Sequence, residues 1–154
     1  CPITTECKAT LNDNPLEYPE IKKSKPIPIV NVAVCIISYN SKLLLIQRPQ
    51  NRMLGGLWEF PGGKVKLGEP KENATTRGAK EETGLVIKDP QYLGEVKHQY
   101  SHFKVSISLF YHTIDDISSI KIKENYIWTT MRGLDKFPLP KANYKMLELL
   151  NKAI

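Results

Sequence analysis

The sequence predicts an α+β domain in which helices flank a β-sheet. Three observations lead to this fold class. Residues 29–38 are rich in β-branched side chains, residues 103–113 alternate apolar and polar side chains, and residues 141–153 place apolar side chains at helical spacing. A chain of 154 residues is long enough to form one such domain with its own core.

Six strands and two helices follow from the hydrophobic pattern. The predicted strands cover residues 29–38, 42–48, 85–87, 92–97, 103–113 and 125–130. The predicted helices cover residues 70–82 and 141–153, with a helical turn at 133–137 and a polar loop at 114–124. Pro70 is favoured at the first helical position, and Tyr144, Leu147 and Leu150 are expected to face the sheet.

Several connections and buried side chains can also be assigned. Residues 39–41 are predicted to form a turn and residues 49–56 a loop. Cys35 is expected to be a small core residue, and Trp58 and Phe60 are expected to pack in the core beside a glycine turn.

The bulk composition is that of a soluble globular protein. Hydrophobic residues make up 41% and charged residues 25%, and no apolar run is long enough to span a membrane. The net charge of +6 is compatible with nucleotides or DNA as partners. Three cysteines do not make a disulfide framework, so a cytoplasmic location is expected, and a first residue that is not Met suggests a fragment or a processed product.

A glycine turn followed by an acidic helix carries the candidate chemistry. Gly62 and Gly63 can let the backbone approach an anionic ligand closely. Glu81 and Glu82 can hold Mg²⁺, which would activate water for attack on a diphosphate. Arg77 and Glu69 are expected to brace the turn against the helix by a charge-assisted pair. The alternative is a solvated surface helix with an Arg77–Glu81 pair and a Gly84 C-cap.

The spacing of this stretch resembles the Nudix box, G-x5-E-x7-R-E-U-x-E-E-x-G-U, in which U is aliphatic. The matching residues are Gly63, Glu69, Arg77, Glu81, Glu82, Gly84 and Leu85. The resemblance implies the Nudix fold, an α/β/α sandwich with a mixed β-sheet, and a Mg²⁺ site with Glu81 and Glu82 as catalytic residues. Gly78 stands where the family carries a glutamate, so one expected metal ligand is missing.

Residues 1–28 are predicted to be a basic linker, and residues 29–154 the Nudix domain. Prolines and three lysines, Lys22, Lys23 and Lys25, favour an extended segment. The segment also resembles the junction in adenine DNA glycosylases of the MutY family, where an iron–sulfur loop precedes a lysine-rich linker. By this resemblance Cys1 and Cys7 are the last two of four cluster ligands, so a 4Fe–4S cluster could be complete only in a longer parent protein.

The segment at residues 98–103 resembles the H-x-F-S-H loop of the same glycosylases, whose serine contacts 8-oxoguanine in DNA. Tyr100, Ser101 and His102 occupy the matching positions, and an aromatic face with a hydroxyl suits base recognition. Two alternatives remain open at this point. His98 and His102 could bind a metal ion, or the segment could be an ordinary exposed hairpin.

Residues 137–143 resemble the F-P-x-P-x-A-N segment of MutT-type 8-oxo-dGTP diphosphatases, in which the asparagine reads the oxidised purine. Asn143 has one acceptor and two donors, which suits a purine edge. Its other possible role is that of an N-cap or first-turn residue of the helix that follows. Glu124 could supply an extra metal carboxylate, although a solvated loop position is the simpler interpretation.

Two functions are therefore expected to compete. In the favoured one, the chain is the C-terminal domain of a MutY-like glycosylase and binds double-stranded DNA containing 8-oxoguanine for base excision repair, with the glycosylase domain upstream. In the other, it is a Mg²⁺-dependent hydrolase that converts 8-oxo-dGTP to 8-oxo-dGMP and diphosphate. Both place an oxidised guanine in one pocket. A Nudix enzyme for another nucleoside diphosphate derivative is a third possibility.

Overall fold

A computed structural model describes residues 2–11, 26–118, 120 and 123–153. Within them one sheet contains β1 (Ile29–Tyr39), β2 (Lys42–Gln47), β3 (Trp58–Glu59), β4 (Gly62–Lys64), β5 (Gln91–Gln99), β6 (Lys104–Thr113) and β7 (Tyr126–Thr130). The helices are α1 (Lys8–Leu11), α2 (Lys71–Thr83) and α3 (Lys141–Ala153), and a 3₁₀ helix covers Met131–Lys136. In the described part of the chain, no helix has the length and apolar character needed to cross a membrane.

Strand β1 organises the sheet. It runs parallel to β6 from the Ile29–Lys104 pair to the Ser38–Thr113 pair, and antiparallel to β2 and β4. The far side of β6 pairs antiparallel with β5, and β2 also pairs with β3 and β7. The sheet is therefore mixed, as expected.

Both faces of the central strands are buried, each under its own core. One core joins alternate residues of β1 and β6 to Met146 and Leu150 of α3, and the other joins Cys35 and Phe110 to Ala79 of α2. Burial on both faces explains the nearly continuous apolar run of β1. Burial also raises the pKa of the Cys35 thiol to about 12, so the prediction of a core cysteine is confirmed. The α/β/α arrangement is confirmed as well.

The two aromatic residues before the glycine turn pack as predicted. Phe60 is buried in the core shared with α3, and Trp58 packs edge to face on Phe137 with a centroid distance of 5.3 Å. The short strands on either side of Phe60, β3 and β4, were not predicted. Gly62 lies in β4, and a Cβ atom there would lie 2.4 Å from the carbonyl oxygen of Ala33, so only glycine permits this close strand pairing.

The predicted strand at residues 85–87 is wrong. These residues follow the left-handed C-cap at Gly84 and pair with no strand among the described residues. Leu85 and Ile87 are buried beside α2, whereas Val86 is exposed. Alternate burial thus arises from packing on the core and not from strand pairing.

Two other expectations need correction. In α3 the buried residues are Ala142, Asn143, Met146 and Leu150, whereas Tyr144, which was expected to face the sheet, is 48% exposed. The loop at residues 114–124 is not polar throughout, because Ile114 and Ile120 are buried in the core beside α2. Each isoleucine removes apolar surface from water at the cost of ordering the loop.

The division into a linker at residues 1–28 and a domain at residues 29–154 stays a prediction. Cys1 and the lysines at positions 22, 23 and 25 lie outside the described residues. Cys7 lies just before α1, where an extended segment was expected, and it is partly exposed. The helix is a single turn with no buried residue, so it adds nothing to the core.

Candidate functional site

A cleft of about 510 Å³ opens on the face of the sheet that α3 covers. Its floor is apolar and comes from β1 and β6, with Val32, Val34, Val105 and Ile107. Tyr100 and Phe103 form one wall, and the loop after β2 forms another with Arg52 and Met53. An apolar cleft with a few polar groups at its ends is the usual form of a small-molecule site.

Asn143 supplies the polar group at the α3 end of the cleft. It lies in the first turn of α3 and is only 4% exposed. Its side-chain nitrogen is buried, and no described residue gives it a hydrogen-bond partner. A buried amide without a partner costs about 1 to 3 kcal/mol, which a bound acceptor would recover. Asn143 therefore lies in the first turn of α3 and not at its N-cap, and its side-chain nitrogen is free to donate to an acceptor in the cleft.

Two carboxylates and an arginine also line the cleft, namely Glu59, Glu82 and Arg48. The Glu59 carboxylate accepts two hydrogen bonds from Nη1 of Arg48, at 2.7 and 2.5 Å. Glu82 accepts a hydrogen bond from the backbone N–H of Gly62 at 2.9 Å. Burial, reinforced by the nearby charge of Glu59, raises the pKa of Glu82 to about 7, and burial also raises the pKa of Glu59. Arg48 and Glu59 were not predicted from sequence.

The predicted brace between the glycine turn and α2 is confirmed. Arg77 binds both carboxylate oxygens of Glu69, at 2.8 and 2.9 Å, and it also donates to the carbonyl oxygen of Lys64. These bonds hold the pKa of Glu69 at about 2. Nη1 of Arg77 also reaches Glu81, at 3.2 Å. Gly84 ends the helix with φ of 79°.

The structure separates Glu81 from Glu82. Adjacent positions on a helix point about 100° apart, so Glu82 shares its face with Gly78, and Glu81 shares its face with Arg77. Glu82 lines the cleft, whereas the Glu81 side chain is 60% exposed in its ion pair with Arg77. The two predicted metal ligands are therefore not brought together.

Gly78 has no room for a side chain. A Cβ atom there would lie 2.8 Å from the carbonyl carbon of Gly62 and 2.8 Å from the backbone nitrogen of Gly63. Backbone atoms of a paired strand cannot move aside without disturbing its hydrogen bonds to the neighbouring strand, here β1. Glycine at position 78, in place of the family's glutamate, thus allows the close packing between α2 and β4.

The residues present do not fit a divalent cation well. Such a cation prefers several free oxygen ligands, but Glu59 is bound to Arg48 and Glu81 to Arg77, which leaves Glu82. Among the described residues no group of three or more His, Cys, Asp or Glu side chains could hold a metal ion. The same holds for the two other metal sites considered from the sequence: among the described residues, neither His98 with His102 nor Glu124 belongs to such a group.

The loop between β5 and β6 is a tight turn braced by aromatic rings. Tyr100 stacks on Phe103 with a centroid distance of 4.7 Å, and His98 meets the Tyr100 ring edge-on at 4.6 Å. The Tyr100 N–H donates to the carbonyl oxygen of Phe103. Ser101 and His102 are exposed at the tip and do not line the cleft. The single pocket expected for Ser101, His102 and Asn143 is therefore not formed, since only Tyr100 joins Asn143.

The Glu82 environment predicts an unusual effect of pH on stability. We expect Glu82→Gln to raise the free energy of unfolding by about 2 kcal/mol at pH 8 and hardly at all at pH 4. The pKa of Glu82 is about 7 in the folded chain, above its unfolded value, so stability present at low pH is lost as the pH rises towards 7. Glutamine stays neutral and can still accept the Gly62 hydrogen bond. Urea unfolding at both pH values measures this, and a difference independent of pH would contradict it.

Comparison with known proteins gives one family match and several relatives. The model of the NUDIX domain matches residues 32–149. The chain is 29% identical over 122 residues to the CTP pyrophosphohydrolase of Escherichia coli, covering 78% of this chain and 90% of that protein. It is 32% identical over 129 residues to the 8-oxo-dGTP diphosphatase of Haemophilus influenzae, covering 80% and 93%. It is 29% identical over 104 residues to human adenine DNA glycosylase, covering 62% of this chain and 18% of that protein.

Solved structures agree on the fold. The MutT protein from Methanosarcina mazei has a TM-score of 0.71 at 25% identity, covering 84% of this chain and 98% of that one. The C-terminal domain of mouse MUTYH, solved in complex with human PCNA, has a TM-score of 0.68 at 22% identity, covering 80% and 88%. At that identity the second match supports the fold alone.

Proposed function

The chain belongs to the Nudix family, and we propose that it recognises 8-oxoguanine in double-stranded DNA as the C-terminal domain of a MutY-like adenine DNA glycosylase. The observation that carries the proposal is the closed contact of Gly78 with β4. It leaves no space for the family's additional carboxylate, and two other acids of the box, Glu69 and Glu81, are already paired with Arg77. In this proposal the domain supplies recognition and does not cleave a phosphate or glycosidic bond.

The β5–β6 turn supports recognition within DNA. Its stacked rings hold a short polar tip rigidly, so Ser101 and His102 would lose little entropy on binding. The tip is exposed and could reach base edges in a groove without removing the base from the helix. Asn143, in contrast, is deep in the cleft, and a base could reach it only by leaving the stack, which costs a few kcal/mol.

The second candidate is hydrolysis of 8-oxo-dGTP to the monophosphate, and the cleft itself favours it. The names of several curated relatives point the same way. Oxidation at C8 converts guanine N7 from an acceptor into an N–H donor. An asparagine amide, with one acceptor and two donors, then matches N7–H and O6 together. The pair Glu82 and Glu81 would have to hold Mg²⁺ here after Glu81 leaves Arg77.

One pair of assays separates the candidates. Binding is measured to a duplex with a single 8-oxoguanine opposite adenine and to the same duplex with guanine, and turnover of 8-oxo-dGTP is measured with Mg²⁺. Preference for the oxidised duplex without turnover is the expected result. Turnover that Glu82→Gln abolishes would support the diphosphatase instead. If the chain shows neither duplex preference nor turnover, both candidates are contradicted.

Ser101→Ala is expected to weaken binding to the oxidised duplex by about 3- to 10-fold, the value of one hydrogen bond. Binding to the undamaged duplex should change by less than twofold, because the hydroxyl is exposed and makes no contribution to the core. Competition titrations with both duplexes measure the two affinities. Equal losses for both duplexes would count against base recognition by the tip.

A further inference from the structure

A second groove, of about 550 Å³, lies beside the cleft where β5, β6 and α3 meet. Three lysines line it, Lys97 on β5, Lys104 on β6 and Lys145 on α3, together with His98. No acidic side chain lines it among the described residues. We call this surface the lysine groove.

The fold holds the lysines in place. Lys97 and Lys104 flank the β5–β6 turn, since Gln99 pairs with Lys104 and Lys97 pairs with Ser106. Nζ of Lys145 donates to the carbonyl oxygen of Lys97 at 3.1 Å, which fixes α3 against β5. Burial lowers the pKa of His98, and the charges of Lys145 and Lys141 lower it further, so positive charge does accumulate here.

Nearby acid neutralises only part of this charge. Glu95 lies next to the groove on β5, but it binds Lys71 at 3.0 Å and Ser106 at 2.9 Å, and its oxygen is 3.5 Å from Lys97. Lys104 and Lys145 are exposed and form no ion pair with any described residue. Like charges collected on one surface repel one another, and a polyanion would remove that repulsion.

The groove is directly next to the recognition elements. Val105 lines both the groove and the cleft, and the stacked rings of His98, Tyr100 and Phe103 stand between the two. A strand whose base meets the tip would therefore pass its neighbouring phosphates over Lys97 and Lys104. Gly62 and Gly63, the turn predicted to approach an anionic ligand, line the cleft and not the lysine groove.

We propose that the lysine groove binds the phosphodiester backbone of the DNA strand that the β5–β6 turn reads. The inference rests on the proposed function, because it names the surface through which that DNA is held. Phosphate contacts of this kind fix the register of a protein on DNA without reading its sequence. The groove should therefore contribute equally to oxidised and undamaged duplexes.

The test is a triple variant, Lys97→Gln with Lys104→Gln and Lys145→Gln. Its matched control changes three exposed lysines elsewhere, Lys42, Lys80 and Lys88, to glutamine, so both variants lose the same charge. Affinities for the oxidised and undamaged duplexes are measured from 50 to 200 mM salt, beside the thermal midpoint of each protein and its affinity for 8-oxo-dGMP.

The groove variant is expected to lose about 10-fold or more in affinity for both duplexes, with an unchanged ratio between them. Its plot of log affinity against log salt should be less steep by about 3 units, about one for each lysine. Affinity for 8-oxo-dGMP should not change, and the control should lose less than threefold. An unchanged salt slope, or a loss matched by the control, would overturn the proposal.

The outcomes keep this inference apart from the proposed function. If the wild-type chain prefers the oxidised duplex and the groove variant keeps its salt slope, the lysine groove is refuted and the recognition function stands. If the groove variant loses affinity and salt slope as expected but the wild-type chain shows no preference for the oxidised duplex, the groove is supported and the recognition function is refuted. If no duplex binds to the wild-type chain, both are refuted.

Discussion

Gly78→Ala is expected to lower the free energy of unfolding by about 1 to 2 kcal/mol, even though alanine favours a helix by about 1 kcal/mol over glycine. The new methyl group would lie 2.8 Å from two backbone atoms of β4, and 3.1 Å from the Gly62 carbonyl oxygen. Relief requires α2 to move away from the sheet, and overpacking of this kind costs about 1 to 3 kcal/mol or more. Urea unfolding measures the change.

Gly63→Ala provides the matched control across the same contact. A Cβ atom at Gly63 would find its nearest neighbour, the Cα atom of Gly78, at an ordinary 3.5 Å. We expect a change of less than about 0.5 kcal/mol, which is usual where a substitution meets no obstacle. If Gly78→Ala were as mild as Gly63→Ala, the close contact between α2 and β4 would not explain the missing glutamate.

The same contact decides what Gly78→Glu can do. Restoring the family's carboxylate looks like a route to hydrolysis, but its Cβ atom meets the same backbone atoms before the carboxylate can reach the cleft. We therefore expect a destabilised protein without gain of 8-oxo-dGTP turnover.

The sequence was sufficient for the parts of the fold that repeat a local pattern. The alternation of β6, the apolar run of β1 and the ends of α3 are set by neighbouring residues, and their predictions are confirmed. Strands β3 and β4 contain two and three residues, which is too short for any periodicity to appear. Strand β4 exists because Gly62 permits pairing with β1, and β3 exists because it pairs with β2; both are tertiary effects.

The site divides in the same way. The Glu69–Arg77 pair follows from a known spacing, whereas Arg48 and Glu59 meet through the pairing of β2 with β3, which the sequence alone does not show. The separation of Glu81 from Glu82 could have been foreseen, because side chains one position apart on a helix do not face each other. The two glutamates are adjacent in the box motif, but on the helix Glu81 pairs with Arg77 and Glu82 accepts a hydrogen bond from Gly62.

Asn143→Leu is expected to change stability and binding in opposite directions. Leucine is close to asparagine in size and removes a buried nitrogen that has no hydrogen-bond partner, so the free energy of unfolding should rise by about 1 kcal/mol. Affinity for 8-oxo-dGMP should fall by about 10- to 100-fold, the usual value of a bidentate contact to a base. Residues kept for a ligand often reduce stability in this way.

Thermal unfolding and mononucleotide titration on the same preparations measure both effects, and duplex binding adds a third comparison. Because the proposal assigns reading of DNA to Ser101 at the tip, Asn143→Leu should leave the preference for the oxidised duplex within twofold, and Ser101→Ala should leave 8-oxo-dGMP binding unchanged. A loss of duplex preference in Asn143→Leu would instead mean that the oxidised base leaves the helix and enters the cleft. A less stable variant with unchanged mononucleotide binding would make Asn143 a structural residue, because the amide would then stabilise the fold and not a ligand.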